Sequence, residues 1–360
     1  ELRIAIGTSL MALGEFDHAR SLLEKAIAQL REQSVVDHRM LAAALQQYTQ
    51  LSADSGNLVV AGNAATEALS LLEGQHDDDA RLRRVQLRTS LAKLANLRGD
   101  TDAALAQYRQ ILVERVALFG SEDDPRLSVD WNNLGNTYLR THRYAESAAA
   151  FRRAGELLAA ADGYRQPRML WVETGLGVAL TGAGEYLAAE AAFERAKDLL
   201  GLLPDDHHMR GVLANARSLL LRRQRDFRGA AEEAERALEI LRRIDHVGLP
   251  HSDFNLGMAL LYLDRPAEAA TAIARAEAGF LENGDASPRT LLARVAHGAA
   301  LVLDGKPVGE EQLRSALQAL AETGPSGAIE LGEAHVLHAH VAQARGDSAA
   351  AAAHRSAAAS

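Results

Sequence analysis

The stretch Trp131-Asn132-Asn133-Leu134-Gly135-Asn136-Thr137-Tyr138, continued by Tyr144, Ser147, Phe151 and Ala154, decides the fold. Large and small apolar residues recur in it at helical spacing, in two segments joined by a tight turn. A second copy follows about 42 residues later: Leu176, Gly177, Leu180, Gly184, Tyr186, Ala189, Phe193 and Ala196. The pattern has a physical reading. Each copy is a pair of amphipathic helices. The small residue of the first helix lets the second approach, and an alanine of the second does the same in return. The aromatic after the turn fills the gap. One hairpin cannot bury its apolar face alone, so the copies stack.

Toward the N-terminus, Gly99, Ala104, Tyr108 and Ile111 close one unit and Gly56, Ala61 and Ala68 another. Gly7, Gly14, Phe16, Ala19, Leu23 and Ala26 form the first. Toward the C-terminus, Phe227, Ala230, Ala234 and Ala237 mark the sixth unit, and Leu256, Gly257, Leu260, Ala269, Ile273 and Ala276 the seventh. The eighth is degenerate around Gly298, Leu301 and Gly305, where Lys306-Pro307 is expected to disturb the turn. Gly346, Ala351 and Ala358 mark the ninth. The expected architecture is all-α, a right-handed superhelical solenoid forming one array over 1–360. Its nine repeats run over 1–30, 42–73, 85–118, 128–161, 170–201, 211–244, 250–282, 290–321 and 328–360. Pro125, Pro167 and Pro288 each fall before a first helix, where a missing N–H costs little. Asp123-Asp124 stands where a helix cap is wanted. Asp77-Asp78-Asp79 reads as a loop between repeats two and three, and Ala349–Ser360 as a fraying last helix. The chain opens at Glu1, within a helical pattern and without an initiator Met, and so reads as a piece of a longer protein.

Composition supports the same class. Hydrophobic residues make up 48% of the chain but aromatics only 4%, so Ala and Leu must build the core. Both are strong helix formers. The net charge of −9 argues against a nucleic-acid footprint, which needs a basic face. The absence of cysteine excludes disulfides, thiolate metal sites and cysteine nucleophiles. No run of about 20 apolar residues is present to span a bilayer. A cytoplasmic location is expected.

The repeat pattern resembles the tetratricopeptide signature, over essentially the whole chain and most clearly between about residues 86 and 280. Phe119-Gly120, Asp124-Pro125, Asn132-Asn133-Leu134-Gly135, Tyr138 and Tyr144-Ala145-Glu146 resemble its long-period, kinesin-light-chain-like subtype. The resemblance implies a protein-interaction module that holds an extended peptide or helical segment in a concave groove. It implies a sensor or docking region of a larger bacterial regulatory protein, such as a serine/threonine kinase. The Ala-, Arg- and Gly-rich style suits a GC-rich bacterial genome. Two alternatives stay open: a self-associating (homodimeric) or intramolecular regulatory scaffold, and the ligand-sensing array of a transcription regulator. No enzymatic role and no cofactor is implied.

In that family the first helix of each repeat lines the groove. Taking the repeat glycine as position 8, the groove positions 5, 9, 12 and 13 carry over residue by residue. Repeat two supplies Gln46 and Gln50; repeat three Thr89, Lys93 and Asn96; repeat four Asn132, Asn136 and Arg140. Repeat five supplies Thr174, Val178 and Thr181; repeat six Asn215, Leu219, Arg222 and Arg223; repeat seven Phe254, Met258 and Tyr262. Amides and hydroxyls suit the backbone of an extended peptide. Lys93, Arg140, Arg222 and Arg223 suit an acidic peptide or a C-terminal carboxylate. Phe254, Met258 and Tyr262 would form an apolar patch for an anchoring side chain.

Other signals are weaker. His335 and His338 share a helix face while His340 points elsewhere, and without a carboxylate cluster they make a poor metal site. His207-His208, beside Asp205-Asp206, reads as a solvated loop. Gly175-x-Gly177 lacks the third glycine and the preceding strand of a dinucleotide site. Asp77-Asp78-Asp79 offers too few oxygens for calcium.

Overall fold

The computed structural model describes residues 2–12, 15–54, 57–244, 246, 248–282 and 287–359. Glu1, Gly14 and Gly56, named above, lie outside the described residues. The described residues form eighteen α-helices and three short 3-10 turns, with no strand among them. The chain divides into two compact units, residues 1–137 and 138–360.

The first unit holds α1 (Leu2–Ala12), α2 (Phe16–Arg31), α3 (His38–Asp54), α4 (Leu58–Leu71), α5 (Asp78–Leu97) and α6 (Thr101–Phe119). The division falls inside α7 (Ser128–Arg140). The second unit continues with α8 (Tyr144–Asp162), α9 (Pro167–Gly182), α10 (Tyr186–Leu199), α11 (Met209–Arg223) and α12 (Phe227–Arg242). It ends with α13 (Leu249–Tyr262), α14 (Pro266–Glu282), α15 (Pro288–Leu303), α16 (Val308–Ala321), α17 (Ala328–Ala344) and α18 (Ser348–Ala359). Both units are helical solenoids. Within each, a first helix packs on its own second helix and on the neighbouring first helices: α1 with α3, α3 with α5, α9 with α11, α11 with α13, α13 with α15, and α15 with α17. The first helices therefore form one layer and the second helices the other.

One turn chemistry recurs along both units. Gly99, His142, Gly184, Arg225, Asp264, Gly305 and Gly346 all have positive φ. After each, the next residue's N–H donates to the carbonyl five residues back. The bonds run from Asp100 to Ala95, Arg143 to Tyr138, Glu185 to Leu180, Asp226 to Leu221, Arg265 to Leu260, Lys306 to Leu301 and Asp347 to Ala342. This is the left-handed helix stop that closes orphan carbonyls. The eighth turn obeys it fully, so Pro307 does not disturb it. Pro307 precedes α16 at φ −59, where its missing N–H has no partner to lose. Asp77-Asp78-Asp79 is likewise no loop. Asp77 caps α5 by accepting from Ala80 N–H at 3.1 Å, and Asp78 and Asp79 occupy the first turn, where carboxylates favour the helix dipole.

The hairpins pack as the small residues require. The Phe193 ring lies against Gly177, and Phe151 against Gly175, so both glycines are explained by close approach. The second unit's core includes Phe254, Met258, Ile273, Phe280, Val295, Leu313 and Leu337. In the first unit Leu41, Leu45, Ala65, Leu72 and Leu87 form one cluster, and Ala19, Leu23 and Leu51 another. Repeats five and seven also share a charge clamp. Glu173 receives Arg195 at 2.8 and 3.1 Å, and Asp253 receives Arg275 at 2.7 and 3.0 Å, each across 22 residues. Arg242 adds a further bond to Asp253 at 3.2 Å.

Candidate functional site

The layer of first helices is the surface on which the groove residues fall, and the two units present different chemistry. In the first unit, Gln46 on α3 meets α5. Its amide donates to Gln86 Oε1 at 2.9 Å, and Arg83 donates to its oxygen at 3.0 Å. Gln50 and Lys93 are exposed. Asn96 is half-buried, and its Oδ1 is enclosed without a donor. On α7, Asn132 is half-buried and Asn136 exposed, with the Asn136 amide donating to the Asn132 carbonyl at 3.0 Å. The pair does share one face, but Asn136 already spends one N–H on its own helix.

The hydroxyls do not form a donor wall. Thr89, Thr174 and Thr181 each donate to the carbonyl four residues back, at 2.7–2.8 Å. This bond is the default for a threonine inside a helix. Thr174 and Thr181 are also buried.

The expected apolar patch on α13 is closed as well. Phe254 is 6% exposed and Met258 1%, and both belong to the core. Tyr262 is half-buried, stacked on Phe227 at 4.5 Å and tilted against His340 at 4.8 Å. Phe254 and Met258 are closed by the core packed around α13, and Tyr262 by convergence: α17 returns to the inner faces of earlier repeats of its own unit. Residues that would line an open groove touch each other instead.

That convergence assembles a polar cluster. Arg222 Nη1 and Arg223 Nη2, at the end of α11, lie 3.1 and 3.0 Å from the same oxygen, Oε1 of Glu333 on α17. One helical turn earlier on α17, Glu330 Oε1 lies 3.0 Å from His142 Nε2. The other nitrogen of His142 faces the Tyr144 hydroxyl at 2.9 Å. Burial drives the Glu333 carboxyl upward, but Arg222, Arg223 and Arg289 outweigh it and hold it below its ordinary value. Burial raises the Tyr144 hydroxyl; Arg223 and Arg289 oppose that rise, and Glu333 and Glu330 add to it. Two atoms of the cluster are enclosed without partners: Arg222 Nε and Glu330 Oε2. On the same inner layer, Asn255 Nδ2 donates to Asn215 Oδ1 at 2.9 Å, joining α13 to α11. Leu219 and Val178 are half-buried, and Arg140 is exposed.

His142, Tyr144, Asn255, Glu330 and Glu333 were not among the groove residues expected from sequence. His142 sits in the turn rather than on the first helix, and Glu330 and Glu333 stand in the first two turns of α17, before the first groove position that the repeat register gives. The available signal was a histidine at the turn position where Gly99, Gly184, Gly305 and Gly346 stand in other repeats; its φ there is 55°.

The remaining histidines form two packed groups. His207 and His208 are stacked at 4.4 Å, with His208 also against His246 at 5.2 Å and Trp171 at 5.3 Å. They are half-buried rather than solvated, because adjacent inter-repeat loops bring the rings together. His335 and His338 share the face of α17 that meets His354 of α18, while His340 turns to Tyr262. Among the described residues no three His, Cys, Asp or Glu are grouped to hold a metal ion, and no helix is long and apolar enough to cross a membrane.

Comparison with known proteins agrees with this architecture. The tetratricopeptide repeat family model matches residues 127–201, the fourth and fifth hairpins. No curated protein sequence matches the chain. Among solved structures, it is similar to a Rap protein complexed with competence and sporulation factor: TM-score 0.71, 13% identity, covering 98% of this chain and 94% of that one. It is similar to NprR in complex with its cognate peptide NprX: TM-score 0.65, 12% identity, covering 93% and 92%. It is also similar to aspartyl phosphate phosphatase F from Bacillus subtilis: TM-score 0.62, 13% identity, covering 98% and 91%. At such identities the likeness is one of fold. The tetratricopeptide repeat match thus covers the fourth and fifth hairpins, and the turn that recurs along both units and these shared architectures carry the same helical-repeat fold over the rest of the chain.

Proposed function

We propose that this protein is a protein-interaction module, and that the inner face of its second unit binds a peptide. One observation carries the reading: first helices from separate repeats bring Asn215, Asn255, Arg222 and Glu330 to a common inner layer, with buried Arg222 Nε and Glu330 Oε2 lacking partners. Enclosed polar atoms without partners are costly, and a peptide's N–H and C=O groups would relieve both. Amides that donate and accept suit an extended backbone. Rap and NprR, which share the fold, were each solved in a complex, NprR with a peptide. A sensor or docking role within a larger regulatory protein fits this reading. The kinase attachment rests on the sequence resemblance alone.

The test is capture from a random octapeptide library by the full chain and by an Asn215→Ala/Asn255→Ala variant. The wild type should retain a defined set of peptides, and the variant should lose at least about tenfold in affinity, the order expected for an unpaired buried amide. Equal retention would remove the inner face of the second unit as the site. An Asn132→Ala/Asn136→Ala variant asks the same of the first unit.

A further inference from the structure

We propose that the Glu333 carboxylate is the resting occupant of a carboxylate site between Arg222 and Arg223, and that an acidic group of the bound peptide enters by displacing it. The inference rests on the peptide reading above and specifies the group recognised and what controls its entry.

The geometry of the pair is the first argument. A guanidinium holds a carboxylate best as a fork, through two parallel N–H bonds. Glu333 does not achieve this. It offers Oε1 alone to both arginines, at 3.1 and 3.0 Å, and takes only Nη1 of Arg222. The Nε–H of Arg222 stays enclosed and unpartnered. Glu333 is tethered to α17, so the helix fixes where its carboxylate can reach. A carboxylate brought by a ligand has no such constraint and could engage Nε and Nη together.

Charge is the second argument. Arg222, Arg223 and Arg289 all act on the one carboxylate of Glu333. Even with Glu330 counted beside Glu333, the three arginines outnumber the two carboxylates of the cluster, which leaves the site attractive to a further negative group.

The third argument lies one turn away on the same helix. Glu330 spends Oε1 on His142 and leaves Oε2 buried without a donor. A residue carrying both a carboxylate and a backbone N–H would satisfy the unused donor of Arg222 and the unused acceptor of Glu330. A purely anionic ligand would satisfy only the first.

The exchange has a thermodynamic consequence. While Glu333 holds the arginines, the site is open for only a fraction of the time, and apparent ligand affinity is reduced by that fraction. Removing the Glu333 charge should therefore raise affinity for carboxylates and leave uncharged ligands unaffected.

Two measurements on the full chain test this. The first is chemical rescue. Thermal unfolding of wild type, Glu333→Ala and Arg222→Met/Glu333→Ala is compared in potassium propionate and in potassium chloride of equal ionic strength. Propionate should raise the melting temperature of Glu333→Ala specifically, with no such gain in wild type or the double variant. Equal responses in all three would overturn the carboxylate site. The second compares octapeptide libraries with free and amidated C-termini and no acidic side chains, on wild type and Glu333→Gln. Glu333→Gln should bind free-carboxylate peptides about tenfold more tightly, with no gain for amidated ones. Peptides bound equally well whatever residue 333 or the terminus would overturn the exchange while leaving peptide binding intact. Propionate rescue with no peptide retained would keep the carboxylate site and refute the peptide reading.

Discussion

Arg222 and Glu333 are 111 residues apart in the chain and 3.1 Å apart in space, with side chains 8% and 18% exposed. This contact ties the sixth repeat to the ninth within the second unit. Breaking one side of a buried pair leaves an uncompensated charge, which typically costs about 3–5 kcal/mol. Glu333→Ala should destabilise by about 3 kcal/mol, since Arg223 lies nearer the surface and remains hydrated. Urea unfolding followed by circular dichroism reads it. A loss below about 0.5 kcal/mol, the range of ordinary surface changes, would show that the contact does not hold the repeats together.

Two glycines of the eighth repeat separate packing from backbone conformation. A methyl on Gly298 would sit 2.6 Å from the backbone nitrogen of Leu313, which cannot move without shifting α16. Gly298→Ala should destabilise by about 3 kcal/mol through overpacking. A methyl on Gly305 meets nothing within 4 Å, but its φ is 73°. Gly305→Ala should cost only about 1 kcal/mol, the left-handed penalty. Reversed magnitudes in paired denaturation curves would refute this division of roles.

Arg225 occupies the equivalent turn position with a φ of 67°. It is exposed, and it acts on the Tyr262 hydroxyl only through its charge. Arg225→Gly should therefore stabilise the protein by roughly 0.5–1 kcal/mol, the strain removed less the entropy gained by the unfolded chain. His142, with φ 55°, is the contrasting case. His142→Gly gives the same backbone relief but loses the Glu330 and Tyr144 contacts, so it should not stabilise. The two melting temperatures, measured together, decide whether side-chain contacts retain a strained histidine in that turn.

The helical hairpins were legible because their determinants are local and repeated. Gly177 with Phe193, and Gly257 with Ile273, state the approach of two helices in residues a few turns apart. Turn glycines at 99, 184, 305 and 346 repeat that statement, and the three turns built on His142, Arg225 and Asp264 adopt it through the same six-residue hydrogen bond. The inner surface was legible only as far as a single helix specifies it. Counting in the repeat register places Asn215 and Arg222 on the first helix of repeat six. It does not say that α17 will meet Arg222, because that meeting depends on the accumulated rotation of several repeats. Phe254 and Met258 show the same limit. Their positions on α13 were read, but their closure came from the tertiary packing around that helix. The clamps Glu173–Arg195 and Asp253–Arg275 lay within reach of sequence reading, since both acids stand four residues before a repeat glycine and both arginines 22 residues further on.

The C-terminal hairpin should respond to acid through its histidines. His335 Nδ1 lies 3.1 Å from His354 Nδ1, and the His338 ring stacks on His354 at 3.9 Å, joining α17 to α18. Burial, with His354 and His335 adding to it, pushes His338 down to about 4, and burial and His354 also lower His335. A histidine in the unfolded chain protonates near its ordinary value of 6.5. Between about pH 6.5 and 4 the unfolded state therefore binds more protons than the folded one, and stability falls as pH falls. The stabilising contribution of the neutral rings is complete above 6.5 and is lost on descending toward 4. Amide protection factors in α18, corrected for the intrinsic slowing of exchange in acid, should fall on descending through this window, before those of the helices of repeats five to seven. His338→Leu, which keeps an apolar group in the site and removes the proton acceptor, should flatten the response. If α18 in the His338→Leu variant exchanges with the same pH profile as wild type, the acid sensitivity of this hairpin lies in other groups.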